Sequence, residues 1–281
     1  MKYFLILFFI FIASLPLQAQ KKKIPDGFEW VKRRNLVVSV YEISCSQWLE
    51  FLQENNQDPS LLPIPNDLVT KCIYMKNGDD DITLRDRQAV YRDTTFMELP
   101  TGKGKKTRGI EKCEDMPVTG ITYEQALAYC EWVSEKYANN SKFNLLHLNF
   151  RLPTPVEMDS LLQDVFSIWP KGDENYVAFQ QGINKHGCAL YNHRHNSWCD
   201  TNLLMKKEFG YAVPMKTGIF FPDRNGMLDL MGNVAEMTSE KGIAKGGSCI
   251  HAAAECQPGA VNRYDGAQTW LGFRVVAELK N

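Results

Sequence analysis

Glycine-centred turns punctuate the last quarter of this chain. Asn225-Gly226 and Gly232-Asn233 are turn dipeptides, and Gly246-Gly247 marks a bend where no side chain fits. Strands along the chain are few and short. Asn35 to Tyr41 and Arg274 to Ala277 are the clearest, with Gly242 to Ile250 a third. Two stretches are loop-like. Residues 55–115 are rich in Pro, Asp, Gly and Lys with weak periodicity and read as an irregular insertion. Residues 180–213 hold the densest histidine cluster.

Three helices announce themselves by one device. Ser44-Cys-Ser-Gln47, Thr122-Tyr-Glu-Gln125 and Thr154-Pro-Val-Glu157 each place a hydroxyl three residues before Glu or Gln, the capping-box pattern. Pro155 adds the favoured first-turn proline to the third. Apolar residues then recur at helical spacing: Trp48, Phe51 and Leu52; Ala126, Cys130, Val133 and Tyr137; Met158, Leu161, Leu162 and Val165. These stripes read as core faces rather than cofactor boxes. A few helices, short strands and long ordered loops, with no internal repeat, imply an α+β domain.

The N-terminus has the pattern of a signal peptide over residues 1–19. Lys2 is the positive region, Phe4 to Ala13 the apolar region, and Leu17-Gln18-Ala19 a small-residue cleavage site before Gln20. The apolar run is shorter than the roughly 20 residues a spanning helix needs. The expectation is an exported chain, periplasmic or secreted, with no membrane span after cleavage. No cysteine closes the apolar region, so a lipid-modified N-terminus is not expected. About 260 residues then remain, 20–281, enough for a single domain with a sizeable core.

Net charge is −1 with no basic stripe, which argues against a nucleic-acid partner. The short basic runs Lys21 to Lys23 and Lys103 to Arg108 read as solvated loop. Eight cysteines in an exported chain favour disulfides. Cys188–Cys199 is the best single pairing, because it closes a short polar loop, whereas Cys130 reads as a buried small hydrophobe.

Several collinear segments resemble the formylglycine-generating enzyme (sulfatase-modifying factor) family. Tyr41-Glu-Ile-Ser-Cys-Ser-Gln-Trp48 is similar to its Tyr-Glu-Val-Thr-Asn-x-x-Tyr, and Met116 to Trp132 to its Pro-Val-x-x-Val-Ser-Trp-x-x-Ala-x-x-Tyr-Cys-x-Trp. Phe150-Arg-Leu-Pro-Thr-Pro-Val-Glu157, Asn225 to Met237, Lys245-Gly-Gly-Ser248 and Gly272-Phe-Arg-Val-Val276 complete the series in the family's order. The resemblance implies the family's C-type-lectin-like fold.

It also implies where chemistry would sit. Catalytic members carry Gly-Gly-Ser-x-x-Cys-x-x-x-x-Cys, whose two thiolates bind Cu(I), a soft ion suited to sulfur. Here Ser248 matches the family's active-site serine, His251 stands where the first cysteine belongs, and Cys256 where the second does; Cys249 is displaced by two residues. Three readings stay open: a Cys249/His251/Cys256 copper site, with Cys249 and His251 on one face of a strand; a Cys249–Cys256 disulfide; or two inert packed thiols. Asn233-Val234-Ala235-Glu236 matches the segment where family members hold a structural Ca2+ with oxygen ligands, and a plain hydrogen-bonded turn is the competing reading. Ala235 and Met237 replace two tryptophans of that pattern. A second calcium site would fall near Asn202 and Glu208, with altered spacing.

His186, His193 and His195 with Asp200 suit a metal by residue type, but no ligand spacing is recognisable and a solvated loop is the simpler reading. No phosphate-binding or hydrolase motif occurs. The functional expectation is an exported, non-catalytic binding or assembly module with a degenerate copper site and a protein or peptide partner. The resemblance implies that some relatives with degenerate cysteine sites act as accessory components of gliding and secretion machineries, usually as lipoproteins, a role against which the missing lipid-anchor cysteine counts here. The alternative is a copper-dependent oxidase making formylglycine in exported sulfatases, with Cys256, His251, Cys249 and Ser248 as its residues.

Overall fold

The computed structural model describes residues 24–56, 58–63, 115–195 and 214–279. The signal peptide, the basic runs at 21–23 and 103–108, most of the 55–115 insertion, and Cys72, Cys113, Cys199, Asp200, Asn202 and Glu208 lie outside the described residues. So, therefore, does half of the Cys188–Cys199 pairing.

Two four-stranded sheets form the frame. In the first, β1 (Phe28–Val31), β2 (Leu36–Ser39), β8 (Val276–Glu278) and β3 (Phe150–Arg151) run in that spatial order, all antiparallel. In the second the order is β6 (Asn262–Arg263), β5 (Ile243–Lys245), β4 (Ala235–Met237) and β7 (Leu271–Gly272), with β4 and β7 parallel. The register Val37↔Ala277 joins the two ends of the described chain across one sheet. Helices α1 (Cys45–Glu54), α2 (Tyr123–Ala138), α3 (Pro155–Phe166) and α4 (Glu174–Gln181) pack around them.

All three capping boxes form as expected. The side chains of Ser44, Thr122 and Thr154 accept from the backbone N–H of Gln47, Gln125 and Glu157, and each of those side chains accepts from the cap N–H in return. The apolar stripes face inward as read. Trp48 from α1, Tyr129 from α2 and Phe273 converge, with Trp48 and Tyr129 stacked at 5.7 Å and Phe273 edge-on to both. Offset and edge-on pairs of this kind add about 0.5–1.5 kcal/mol each beyond their burial. Cys130 is buried in the same core.

The strands are shorter than the sequence suggests. The expected Asn35–Tyr41 strand becomes Leu36–Ser39, because Asn35 takes a left-handed conformation (φ 53°) that ends the ladder. The expected Gly242–Ile250 strand stops at Lys245: Gly246 and Gly247 have φ of 84° and 67°, outside the β region. Within the expected loop 180–213, α4 intrudes at its start, capped by Asp173 and closed by Gly182. Its apolar periodicity is too weak to have marked it.

Candidate functional site

The glycine pair that ends β5 builds the site. A β-carbon on Gly246 would lie 2.7 Å from the Leu230 carbonyl oxygen, and one on Gly247 would lie 2.3 Å from Cys256 Sγ. The expectation of a bend without room for a side chain therefore holds at both residues. The turn is locked by backbone bonds from Gly232 N–H to Gly246 O (2.8 Å) and from Cys249 N–H to Asn233 O (3.0 Å), and by Gly247 N–H to Asn262 Oδ1 (3.0 Å). Residues 248–251 thus form a turn, not a strand, and Cys249 and His251 do not share a strand face.

The structure brings Ser248 and His251 together. Ser248 Oγ lies 2.7 Å from His251 Nδ1, and His251 N–H donates to the Ser248 carbonyl at 2.9 Å. The His251 ring stands edge-on to Trp270 at 4.9 Å. Burial holds its pKa below the usual histidine value, so the ring is neutral near pH 7. Ser248 itself is fully buried. A hydroxyl without access to solvent and bonded within its own turn serves the turn.

Cys249 and Cys256 are buried, at 1% and 0% exposure, and both are free thiols, which removes the Cys249–Cys256 disulfide reading. Cys256 closes a short 3-10 turn, Ala253–Cys256, and its thiol points to the Ala252 carbonyl at 3.5 Å. Burial pushes each thiol up to about 12, so both stay protonated at neutral pH. Copper(I) displaces thiol protons on binding, so the placement of the ligands decides. Among the described residues no three His, Cys, Asp or Glu side chains gather at metal-ligand range. Cys249, His251 and Cys256 are therefore not gathered as a ligand set, and as folded here they do not fit a copper ion.

The calcium segment is equally engaged. Asn233, with φ 58°, accepts at Oδ1 from Met215 N–H (2.7 Å) and Asn192 Nδ2 (3.1 Å), and its Nδ2 donates to both Glu42 carboxylate oxygens and to the Met215 carbonyl. Val234 N–H also donates to Glu42. Glu236 is ion-paired with Arg274: Nε donates to Oε2 at 2.6 Å, and Nη2 stands 2.6 Å from Oε1, which has no hydrogen-bond partner among the described residues. Ala235 lies within β4, beside Leu271 of β7. With the one carboxylate of residues 233–236 already neutralised by the Arg274 guanidinium, the segment as folded here does not fit a calcium ion, which needs uncompensated oxygen ligands.

Sequence reasoning missed the group that organises this region. Arg274 is fully buried and also donates to the carbonyls of Ser39 (3.1 Å) and Leu228 (3.0 Å), so one guanidinium ties β2 of the first sheet to β4 of the second. Three buried carboxylates, Glu42, Asp229 and Glu236, surround this single cation. Glu236 takes the charge pair. Asp229 accepts from the backbone N–H groups of Gly218 and Phe220. Glu42 has no cation of its own, and burial together with the nearby Asp229 and Glu236 charges raises its pKa well above the usual carboxylate range. Glu42 and Arg274 both stand inside quoted motifs, Tyr41-Glu-Ile and Gly-Phe-Arg; a charge flanked by apolar residues is the available signal.

The histidine cluster is not a solvated loop throughout. His193 is buried, its ring tilted against Tyr191 (4.6 Å) and His195 (5.1 Å), with Nδ1 at 2.9 Å from the Tyr191 carbonyl oxygen. The close passage of Gly182 over its ring shuts it in. His186 stays exposed at the loop tip.

A domain with two small sheets, capped helices and ordered loops is the architecture of the sulfatase-modifying-factor fold. The profile of the sulfatase-modifying factor enzyme 1-like domain matches residues 17–279, and the chain belongs to that family. Among solved structures it is similar to PvdO from Pseudomonas aeruginosa, at 15% identity over 87% of this chain and 80% of that one, TM-score 0.48. It is similar also to CarF (13% identity, 87% of each chain, TM-score 0.48) and to Treponema denticola variable protein 1 (14% identity, 86% and 84%, TM-score 0.43). No curated protein matches it in sequence.

Proposed function

We propose that this chain is an exported, non-catalytic member of the sulfatase-modifying-factor family that serves as a binding or assembly module for a protein or peptide partner. The observation that carries the reading is the state of its two sulfurs. Cys249 and Cys256 are buried and built into the packing of a turn, whereas the family's oxidation of a cysteine needs two sulfurs that copper can reach. Ser248 and His251 satisfy each other. Export rests on the charge, apolar run and small-residue cleavage site of residues 1–19.

The test is turnover. The mature protein, supplied with Cu(I), oxygen and a cysteine-containing sulfatase peptide, is expected to leave the cysteine unchanged. Copper-dependent conversion of that cysteine to an aldehyde, lost in Cys256→Ser, would replace the binding reading with the oxidase one.

A further inference from the structure

A groove of about 510 Å3 opens between the C-terminal end of α3, helix α4 and the turn that follows Cys256. That volume lies within the roughly 300–1,000 Å3 of ligand-binding clefts. Three aromatic residues, Phe166, Trp169 and Tyr176, line it together with three primary amides, Gln163, Gln180 and Gln257. The rings are braced. Phe166 packs on Tyr176 at 5.3 Å, and Trp169 on the buried Phe179 at 4.6 Å. Gln257 is fixed too, its Nε2 within reach of the Gln180 and Ala253 carbonyls at 3.2 and 3.1 Å. Much of the lining is thus ordered before a ligand arrives, which lowers the cost of binding.

The polar part of the lining is unpartnered. Among the described residues, the side-chain amides of Gln163 and Gln180 and the Tyr176 hydroxyl bond to no other group of the protein, and Gln257 Oε1 accepts no bond. A primary amide carries donors and an acceptor, and a hydroxyl is both, so the groove mixes the two roles throughout. Lys171 is its one charged residue, and no carboxylate lines it, so a cationic ligand meets no counter-charge. An acyl chain would bury the amides unbonded, at a cost. A peptide main chain is read along a free strand edge. No lining residue belongs to a strand, and the Gln180 carbonyl already accepts from Gln257. An all-equatorial hexopyranose matches both halves of the lining. Its hydroxyls, each donor and acceptor, stand around the rim, and its axial C–H groups make both faces apolar. Such C–H groups suit the negative face of an aromatic ring.

We propose that this groove binds a β-1,4-linked oligosaccharide of equatorial hexopyranose units, with sugar faces against Trp169 and Tyr176 and rim hydroxyls on the amides of Gln163, Gln180 and Gln257. The saccharide site goes beyond the partner-module reading and does not rest on it.

Calorimetric titration of the mature protein with cellohexaose tests it, beside a neutral decapeptide of alternating serine and valine. Saturable binding of cellohexaose is expected, and none of the decapeptide. Gln180→Ala removes an amide that has no partner among the described residues, so it should weaken binding severalfold and leave Tm unchanged. Trp169→Ala should weaken it about tenfold or more, the scale of an aromatic hot spot. Should Trp169→Ala fail to fold, Tyr176→Phe takes its place. It keeps the ring packed on Phe166, drops the free hydroxyl, and should weaken binding severalfold. No saturable cellohexaose binding, an affinity unchanged in the folded variants, or tighter binding of the decapeptide would each overturn the proposal. None of these outcomes touches the copper and turnover tests, so the groove and the non-catalytic reading fail separately.

Discussion

The Cys256 thiol fills the space that a β-carbon on Gly247 would require. That carbon would lie 2.3 Å from Sγ and 2.9 Å from Cα of Cys256. The sulfur that the family's catalytic members offer to copper is here a packing atom against a glycine bend. Gly247→Ala should therefore destabilise the domain by about 2–4 kcal/mol, from overpacking plus a positive φ that alanine tolerates poorly. Cys256→Ala should restore only part of this, because the Cys256 backbone remains close. Denaturant melts of the two single variants and the double variant measure the coupling.

Thiol reactivity follows from the same burial. Cys249 and Cys256, each pushed up to about 12, should resist alkylation at pH 7.5 in the native protein and react in denaturant. Peptide mapping after alkylation gives the answer residue by residue. Rapid native labelling of either would show a solvent-reachable thiolate.

The single cation among three carboxylates predicts a pH dependence. The folded pKa of Glu42 is raised, so between the ordinary carboxylate range and that raised value the folded state holds a proton the unfolded chain has lost. Stability contributed by neutral Glu42 is complete below the unfolded pKa and falls as pH rises through the folded one. The slope approaches about 1.4 kcal/mol per pH unit at most. Glu42→Gln, which never ionises, should flatten the profile of stability against pH in that window. An equally steep profile in the variant would locate the titration elsewhere.

Arg274 and Glu236 form a buried pair at 2.6 Å that joins the two sheets. Removing one partner leaves a buried charge alone, so Arg274→Met should cost about 3–5 kcal/mol. Adding Glu236→Met to it should recover much of that loss. Thermal melts of the single and double variants test the pairing.

How much of this was legible in the sequence depends on the range of the interaction. The capping boxes at Ser44, Thr122 and Thr154 are contacts over three residues, so they could be read directly and all formed. Collinear motifs pointed to the family and its fold. The strand ends at Asn35 and Gly246 turn on positive φ values set by distant packing, which sequence pattern does not mark. The state of the site was the least legible. Whether Cys249 and Cys256 pair, ligate or pack depends on Gly247, Asn262 and Asn233, which hold the turn from other segments. The network of Glu42, Asn233, Glu236 and Arg274 spans more than 190 residues in sequence, and no spacing rule reaches that far.

The central claim is that the two sulfurs beside the Gly-Gly-Ser turn are structural. Titration of the purified mature protein with Cu(I) against a competing chelator, wild type beside Cys256→Ser, tests it most directly. The account predicts no competitive binding attributable to Cys249 or Cys256 and the same curve for both proteins. Tight one-to-one binding that disappears in Cys256→Ser would contradict it.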